Sequence, residues 1–194
     1  MSIRPQKPAP ATPAPGKLPV TELVEMKTRR QPIAMVTAYD APGGRLADQA
    51  GADIVLVGDS AAMVMLGHES TVPVTLDEMI FLTRAVTRAA HRPLVIGDMP
   101  FGTYEISDEQ AVGSAIRMLK EGGADCVKLE GAGRMVARVR AIAESNIGVL
   151  GHVGLTPQSA TKLGGFRAQG RTGAAAVELY DAALALEQLS LIHI

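Results

Sequence analysis

Five ionisable residues have types and positions that could do chemistry: Asp59, Asp98, Lys128, Glu130 and His152. Each sits at or just after a short apolar run. Asp59 follows IVLV within GDS, Asp98 follows LVI, Lys128 and Glu130 belong to CVKLE, and His152 closes IGVLGH. Three carboxylates with one lysine point to a hard divalent cation held through oxygen. Mg2+ takes one or two carboxylates directly, keeps waters, and leaves positions for substrate oxygens. A 2-oxo acid offers its keto and carboxylate oxygens as a five-membered chelate, and the metal then stabilises an enolate as a Lewis acid. Lys128 would add positive charge for the substrate carboxylate or the developing oxyanion.

Each of these residues also has a plainer role open to it. An Asp after a strand is often a helix cap or a turn residue. Lys128 and Glu130 lie two apart on one strand, share a face, and could be no more than an ion pair. His152 could cap a loop. His68 and His91 read as surface residues. Gly131-Ala132-Gly133 opens a helix after a strand but lacks the third glycine of a dinucleotide fingerprint. Met63, Met65, Met79, Met118 and Met135 read as core filler.

The elements that must position these residues alternate between strand and helix. Strands are expected at Ile33–Ala38, Ile54–Val57, Leu94–Ile96, Cys126–Leu129 and Ile147–Leu150. Helices are expected at Arg45–Ala50, Thr75–Ala90, Ser107 to about Lys120, Arg134–Glu144 and Gly173–Gln188, with a short one opening at Thr156-Pro157. Thr75 with Glu78 and Ser107 with Gln110 have capping-box spacing, and Gly122-Gly123 is a helix stop. Repeated β-α units with strands apolar on both faces imply a parallel sheet flanked by helices. An open doubly wound sheet and a (β/α)8 barrel both fit. In both, the carboxyl ends of the strands open on one side, so the five residues should converge there. Strand 1 would bring Thr37, Tyr39 and Asp40 to the same side.

Composition limits the rest. The chain has 194 residues, 47% hydrophobic and 20% charged, enough for one domain with a real core. A formal charge of −1 gives no reason to expect nucleic acid or an anionic membrane as partner. The single cysteine, Cys126, excludes an internal disulfide and fits a cytoplasmic protein. No apolar run has the length of a membrane span, and the start has no secretory h-region. Residues 1–19, rich in Pro and Ala, read as a flexible extension. Residues 20–188 read as the folded domain. Residues 189–194 (LSLIHI) read as a non-native tail.

The segments VTAYDAPGGRLADQAGADIVLVGDS, TVPVTLDEMI, DMPFGTYE, GGADCVKLEG, GHVGLTPQS and LGGFRAQGR resemble the ketopantoate hydroxymethyltransferases, from about Val20 to Gln188. The resemblance implies a (β/α)8 TIM barrel in a homo-oligomer, commonly a decamer. The implied reaction is hydroxymethyl transfer from 5,10-methylenetetrahydrofolate to 3-methyl-2-oxobutanoate, giving 2-dehydropantoate, with Mg2+. By motif, Asp59, Asp98 and Glu130 match the metal-site carboxylates. Asp59, Ser60, Asp98 and Lys128 match substrate-binding residues, and His152 matches the active-site histidine. The same resemblance implies about five of the eight β-α units here, without the family's sixth-strand glutamate base. The expectation is therefore a poorly stable chain with little turnover. A non-catalytic fragment and a phosphoenolpyruvate mutase or isocitrate lyase-like enzyme are the rival readings.

Overall fold

The computed structural model describes residues 16–131, 133–159, 165 and 167–189. The first 15 residues of the proline-rich extension and most of the LSLIHI segment lie outside the described residues. The elements run α1 (Val20–Thr28), β1 (Met35–Thr37), α2 (Ala41–Gln49), β2 (Ile54–Val57), α3 (Ala61–Val64), α4 (Leu76–Thr87) and β3 (Leu94–Asp98). They continue with α5 (Asp108–Gly122), β4 (Cys126–Glu130), α6 (Met135–Glu144), β5 (Gly148–His152), a 3-10 turn at Pro157–Ser159, and α7 (Gly173–Glu187).

The five strands form one parallel sheet in the order β1-β2-β3-β4-β5. That order decides between the two architectures left open above. A doubly wound sheet reverses direction at a switch point, with helices on both faces. Here the order never reverses, so the sheet is an arc of a (β/α) barrel wall. The register is continuous: Ile54 pairs with Leu94, Ile96 with Cys126, and Cys126 with Gly148.

Alternation along the strands separates two cores. Val55, Val57, Val95, Val127, Leu129 and Val149 face the helices and pack with Val86, Met118 and Ile142. Ile54, Leu94, Ile96 and Cys126 face the other way, the interior side. There they meet Leu23 and Met26 of α1, each 2% exposed. Burial of two such side chains contributes about 1.5–3 kcal/mol each and holds α1 against the interior face. The sequence reading gave α1 no place, because VTELVEMKT is only weakly amphipathic and is defined by what it covers.

Several boundaries differ from expectation for local reasons. Helix α2 starts at Ala41, because Asp40 accepts the Gly43 N–H at 2.7 Å as its cap and Pro42 fits the first turn. The predicted strand Ile33–Ala38 shrinks to three residues at the sheet edge. The box at Thr75 and Glu78 forms in full. At Ser107 only half of it forms, since Gln110 turns its side chain to Ile106 N–H and Gly102 C=O. Residues 17–19, assigned above to the flexible extension, are docked instead. Leu18 is buried and donates its N–H to Arg92 C=O at 2.8 Å, and Lys17 pairs with Asp125. Met79, Met118 and Met135 are core. Met63 (38% exposed) and Met65 (46%) are surface residues, because the single turn of α3 buries Ala61 and Ala62 instead.

Candidate active site

The sheet register puts the chemistry side by side. Asp98 is the register partner of Lys128, and Glu130 is the partner of His152. Parallel strands lie about 4.8 Å apart, so such partners touch. Asp98, Lys128, Glu130 and His152 share the interior face with Ile96 and Cys126, two or four residues back along their strands. The apolar part of that face fills its amino end, and the charged row lies at its carboxyl end. Asp59 and Ser60 follow β2 and complete the arc.

Asp59, Asp98, Lys128 and Glu130 are all buried, with 3%, 1%, 8% and 4% exposure. Lys128 Nζ donates to both Asp98 oxygens, at 2.8 and 2.7 Å, and lies 3.8 Å from Glu130 Oε1. The Asp59 backbone N–H donates to Asp98 Oδ2 at 3.1 Å. His152 Nδ1 is 3.2 Å from Glu130 Oε1. A carboxylate oxygen accepts, so Nδ1 is the nitrogen that carries the proton, and Nε2 takes no part in this bond. The Ser60 hydroxyl bonds Tyr39 Oη at 2.9 Å. Gly58 keeps this corner open: a Cβ there would come within 2.9 Å of Ser60 Oγ.

Burial dominates the electrostatics. It pushes the Asp98 carboxyl up to about 6 despite the Lys128 ammonium beside it. Asp59 is raised for the same reason, with the Gln158 amide acting against the shift. Burial pulls Lys128 down, but the Asp98, Glu130 and Asp59 carboxylates together outweigh it and the net direction is up. Three buried carboxylates against one ammonium leave an excess of two negative charges when all are ionised. Thr71, 1% exposed, buries its hydroxyl beside the Asp59 carboxylate, short of full hydrogen-bond geometry but near enough to ease its ionisation. Excess negative charge, hard oxygen donors and an under-satisfied hydroxyl fit a divalent cation with retained waters. Among the described residues no group of three or more His, Cys, Asp or Glu side chains is arranged to hold a metal ion. Asp98 is taken up by Lys128 and Asp59 N–H, and Glu130 by His152 and Gln158, so a cation here would rely on few direct protein ligands.

The structure brings together all six residues expected at the site and adds two that sequence reasoning missed. Gln158, in the turn after β5, donates from Nε2 to Asp59 Oδ2 and to Met99 C=O, both at 2.9 Å. Its N–H donates to Glu130 Oε2 at 3.0 Å. Tyr104, in the loop after β3, donates its hydroxyl to Gln158 Oε1 and accepts the Glu130 N–H at 3.3 Å. Burial raises the Tyr104 phenol well above its ordinary value, so it stays protonated. Neither residue carries a charge, and Gln158 lies 99 positions from Asp59. Both lie in segments quoted above for the resemblance, DMPFGTYE and GHVGLTPQS, and Pro157 marks the turn, but neither cue says what Tyr104 or Gln158 does. Asp40, by contrast, is a helix cap, the plainer role weighed for such residues. A cavity of about 480 Å³ opens beside Glu130, lined by Phe101, Tyr104, Gln158, Arg134 and Met135.

Among solved structures the fold is similar to a phosphonopyruvate hydrolase in complex with oxalate and Mg++ (TM-score 0.64, 12% identity, covering 88% of this chain and 60% of that one). It is also similar to a phosphoenolpyruvate phosphomutase from Streptomyces platensis (TM-score 0.63, 14% identity, 88% and 61%). At such identities the likeness concerns the fold alone. Sequence relatives are nearer. The chain is 53% identical over 174 residues to 3-methyl-2-oxobutanoate hydroxymethyltransferase 1, mitochondrial, of Arabidopsis thaliana, covering 89% of this chain and 50% of that protein. It is 52% identical over 171 residues to the enzyme of that name from Heliobacterium modesticaldum (88% and 62%). It is 50% identical over 191 residues to that of Thermobifida fusca (94% and 68%). The chain thus spans about half to two thirds of the length of these relatives. The family model for ketopantoate hydroxymethyltransferase matches residues 17–194, and the chain belongs to that family of transferases.

Proposed function

We propose that this chain carries the oxo-acid site of a hydroxymethyl transfer from 5,10-methylenetetrahydrofolate to 3-methyl-2-oxobutanoate, giving 2-dehydropantoate. The observation that carries the reading is the buried row Asp98–Lys128–Glu130–His152, with Asp59 beside it, in a chain of this family. Asp59, Asp98 and Glu130 would hold Mg2+, which when bound supplies Lewis acidity toward the keto and carboxylate oxygens of the substrate. Ser60 and Lys128 bind the oxo acid, Ser60 through its hydroxyl and Lys128 through its ammonium. As the C3 proton leaves, Lys128, itself buried, offsets the charge that develops on oxygen. Glu130 holds the His152 ring so that Nε2 can accept or return a proton at the substrate. The oxalate and Mg++ in the phosphonopyruvate hydrolase complex support oxo-acid chemistry on this fold.

The assembly is a homo-oligomer in our reading, which sedimentation would check. Among the described residues no helix is long and apolar enough to cross a membrane. The Arabidopsis relative's name places that protein in mitochondria; a cytoplasmic home is our reading for this chain.

Saturation-transfer NMR tests the site directly. The methyl signals of 3-methyl-2-oxobutanoate should show transfer from the protein with Mg2+ and not with EDTA. The transfer should be lost in Asp59→Asn and in Lys128→Met. Exchange of the C3 proton into deuterated water with Mg2+, without folate, would report enolisation. Oxo-acid binding indifferent to Mg2+ and to both substitutions would overturn the assignment.

A further inference from the structure

We propose that Tyr104 and Gln158 form a positioning strut that fixes the carboxylates of Asp59 and Glu130 for the divalent cation. The inference rests on the metal reading above and assigns a job to two residues outside the expected ligand set.

The hydrogen-bond chemistry allows one arrangement. Asp59 Oδ2 and Met99 C=O are acceptors, so the end of the Gln158 amide that meets both must be its NH2 group. The carbonyl end then faces Tyr104, whose hydroxyl donates to it. Tyr104 Oη in turn accepts the backbone N–H of Glu130. Tyr104 therefore sets the amide's orientation, and the amide sets Asp59. The Gln158 N–H holds one oxygen of Glu130 and leaves the other to His152 and Lys128. Tyr104 is 2% exposed and Gln158 7%, so water does not compete for these bonds. The strut ties together the ends of β2, β3 and β4 and the turn after β5. A carboxylate that must meet a cation with few direct protein ligands gains most from having its orientation fixed beforehand.

The experiment uses the full chain, with Mn2+ as the probe cation, read by electron paramagnetic resonance. The Gln158 side-chain NH2 protons are followed by 15N NMR and identified by their disappearance in Gln158→Leu. The wild type should show a slowly exchanging Gln158 amide, and Tyr104→Phe should make it exchange freely. Gln158→Leu should weaken Mn2+ binding by about 10- to 100-fold. Tyr104→Phe should weaken it by less, and most of that effect should vanish in the Gln158→Leu background, leaving only what the bond from the Glu130 N–H contributes. Tyr104→Phe removes a single hydroxyl, so it carries the test if Gln158→Leu fails to fold. A freely exchanging Gln158 amide in the wild type would overturn the strut, whatever the cation does. So would unchanged Mn2+ affinity in both variants, or independent, multiplying effects of the two. A protected amide in a wild-type chain that binds no Mn2+ would uphold the strut and overturn the metal reading instead.

Discussion

Replacing Lys128 by methionine keeps the length of the side chain and removes its charge. Asp98, 1% exposed, then loses an ammonium at 2.7 and 2.8 Å from its two oxygens. Breaking a buried pair from one side costs about 3–5 kcal/mol when the remaining charge cannot be neutralised. Asp98 can be neutralised, because burial has already pushed its carboxyl up to about 6 and Lys128 was one of the influences holding it down. In the variant it rises further, so the cost depends on pH. The folded state binds this proton more tightly than the unfolded chain, whose carboxyl titrates near 3.9. Stability from this group is therefore greatest at low pH and falls as pH rises through the folded value. In the wild type that carboxyl is half titrated at pH 6, and only about 0.4 kcal/mol remains to be lost above it. In Lys128→Met the loss continues at up to about 1.4 kcal/mol per pH unit. The gap between the two proteins should thus widen by up to about 2.3 kcal/mol between pH 6 and 8, about 2.7 for the variant less about 0.4 for the wild type. Urea denaturation followed by circular dichroism, with EDTA present, measures it at pH 6, 7 and 8. A gap that stays constant across the three would refute the reasoning, because it would mean that Asp98 is ionised in both proteins throughout.

Other predictions concern the scaffold. Gly148→Ala would bring a Cβ within 2.5 Å of Cys126 Sγ, its register partner; it should cost about 1–3 kcal/mol, and adding Cys126→Ala should recover most of that in denaturant titrations. Cys126 is fully buried and its thiol is pushed up to about 12, so a chromogenic disulfide reagent should not label it until the chain unfolds; rapid labelling of the native protein would contradict the interior packing. Thr75→Ala removes the cap that accepts the Glu78 N–H at 3.2 Å and should cost about 1 kcal/mol, seen as a lower urea midpoint with unchanged slope.

The β-α alternation was readable because each strand is a short apolar run bounded by glycine or a carboxylate, and because caps such as Thr75 and Asp40 are local. Periodicity could not decide the barrel, since the strands of both rival folds look alike; the unbroken β1 to β5 order decided it. Helix α1 escaped the reading for a related reason. Leu23 and Met26 matter through the interior face they cover, and that face exists only once four strands are paired.

For the site, residue type and position at strand ends picked out Asp59, Asp98, Lys128, Glu130 and His152, because a parallel sheet gathers its carboxyl ends on one side. Tertiary structure decided which of them touch. Sequence spacing favoured a pair between Lys128 and Glu130, two residues apart on one strand. The closer partner of Lys128 is Asp98, 30 positions away, because register places them side by side. Gln158 and Tyr104 are the opposite case. They are uncharged and far apart in the chain; the segments DMPFGTYE and GHVGLTPQS contain them without singling them out, and their role comes from the donors and acceptors that folding places around them. Residue chemistry and local periodicity are carried by the sequence itself, whereas hydrogen-bond partners depend on register and loop closure, which only the folded chain supplies.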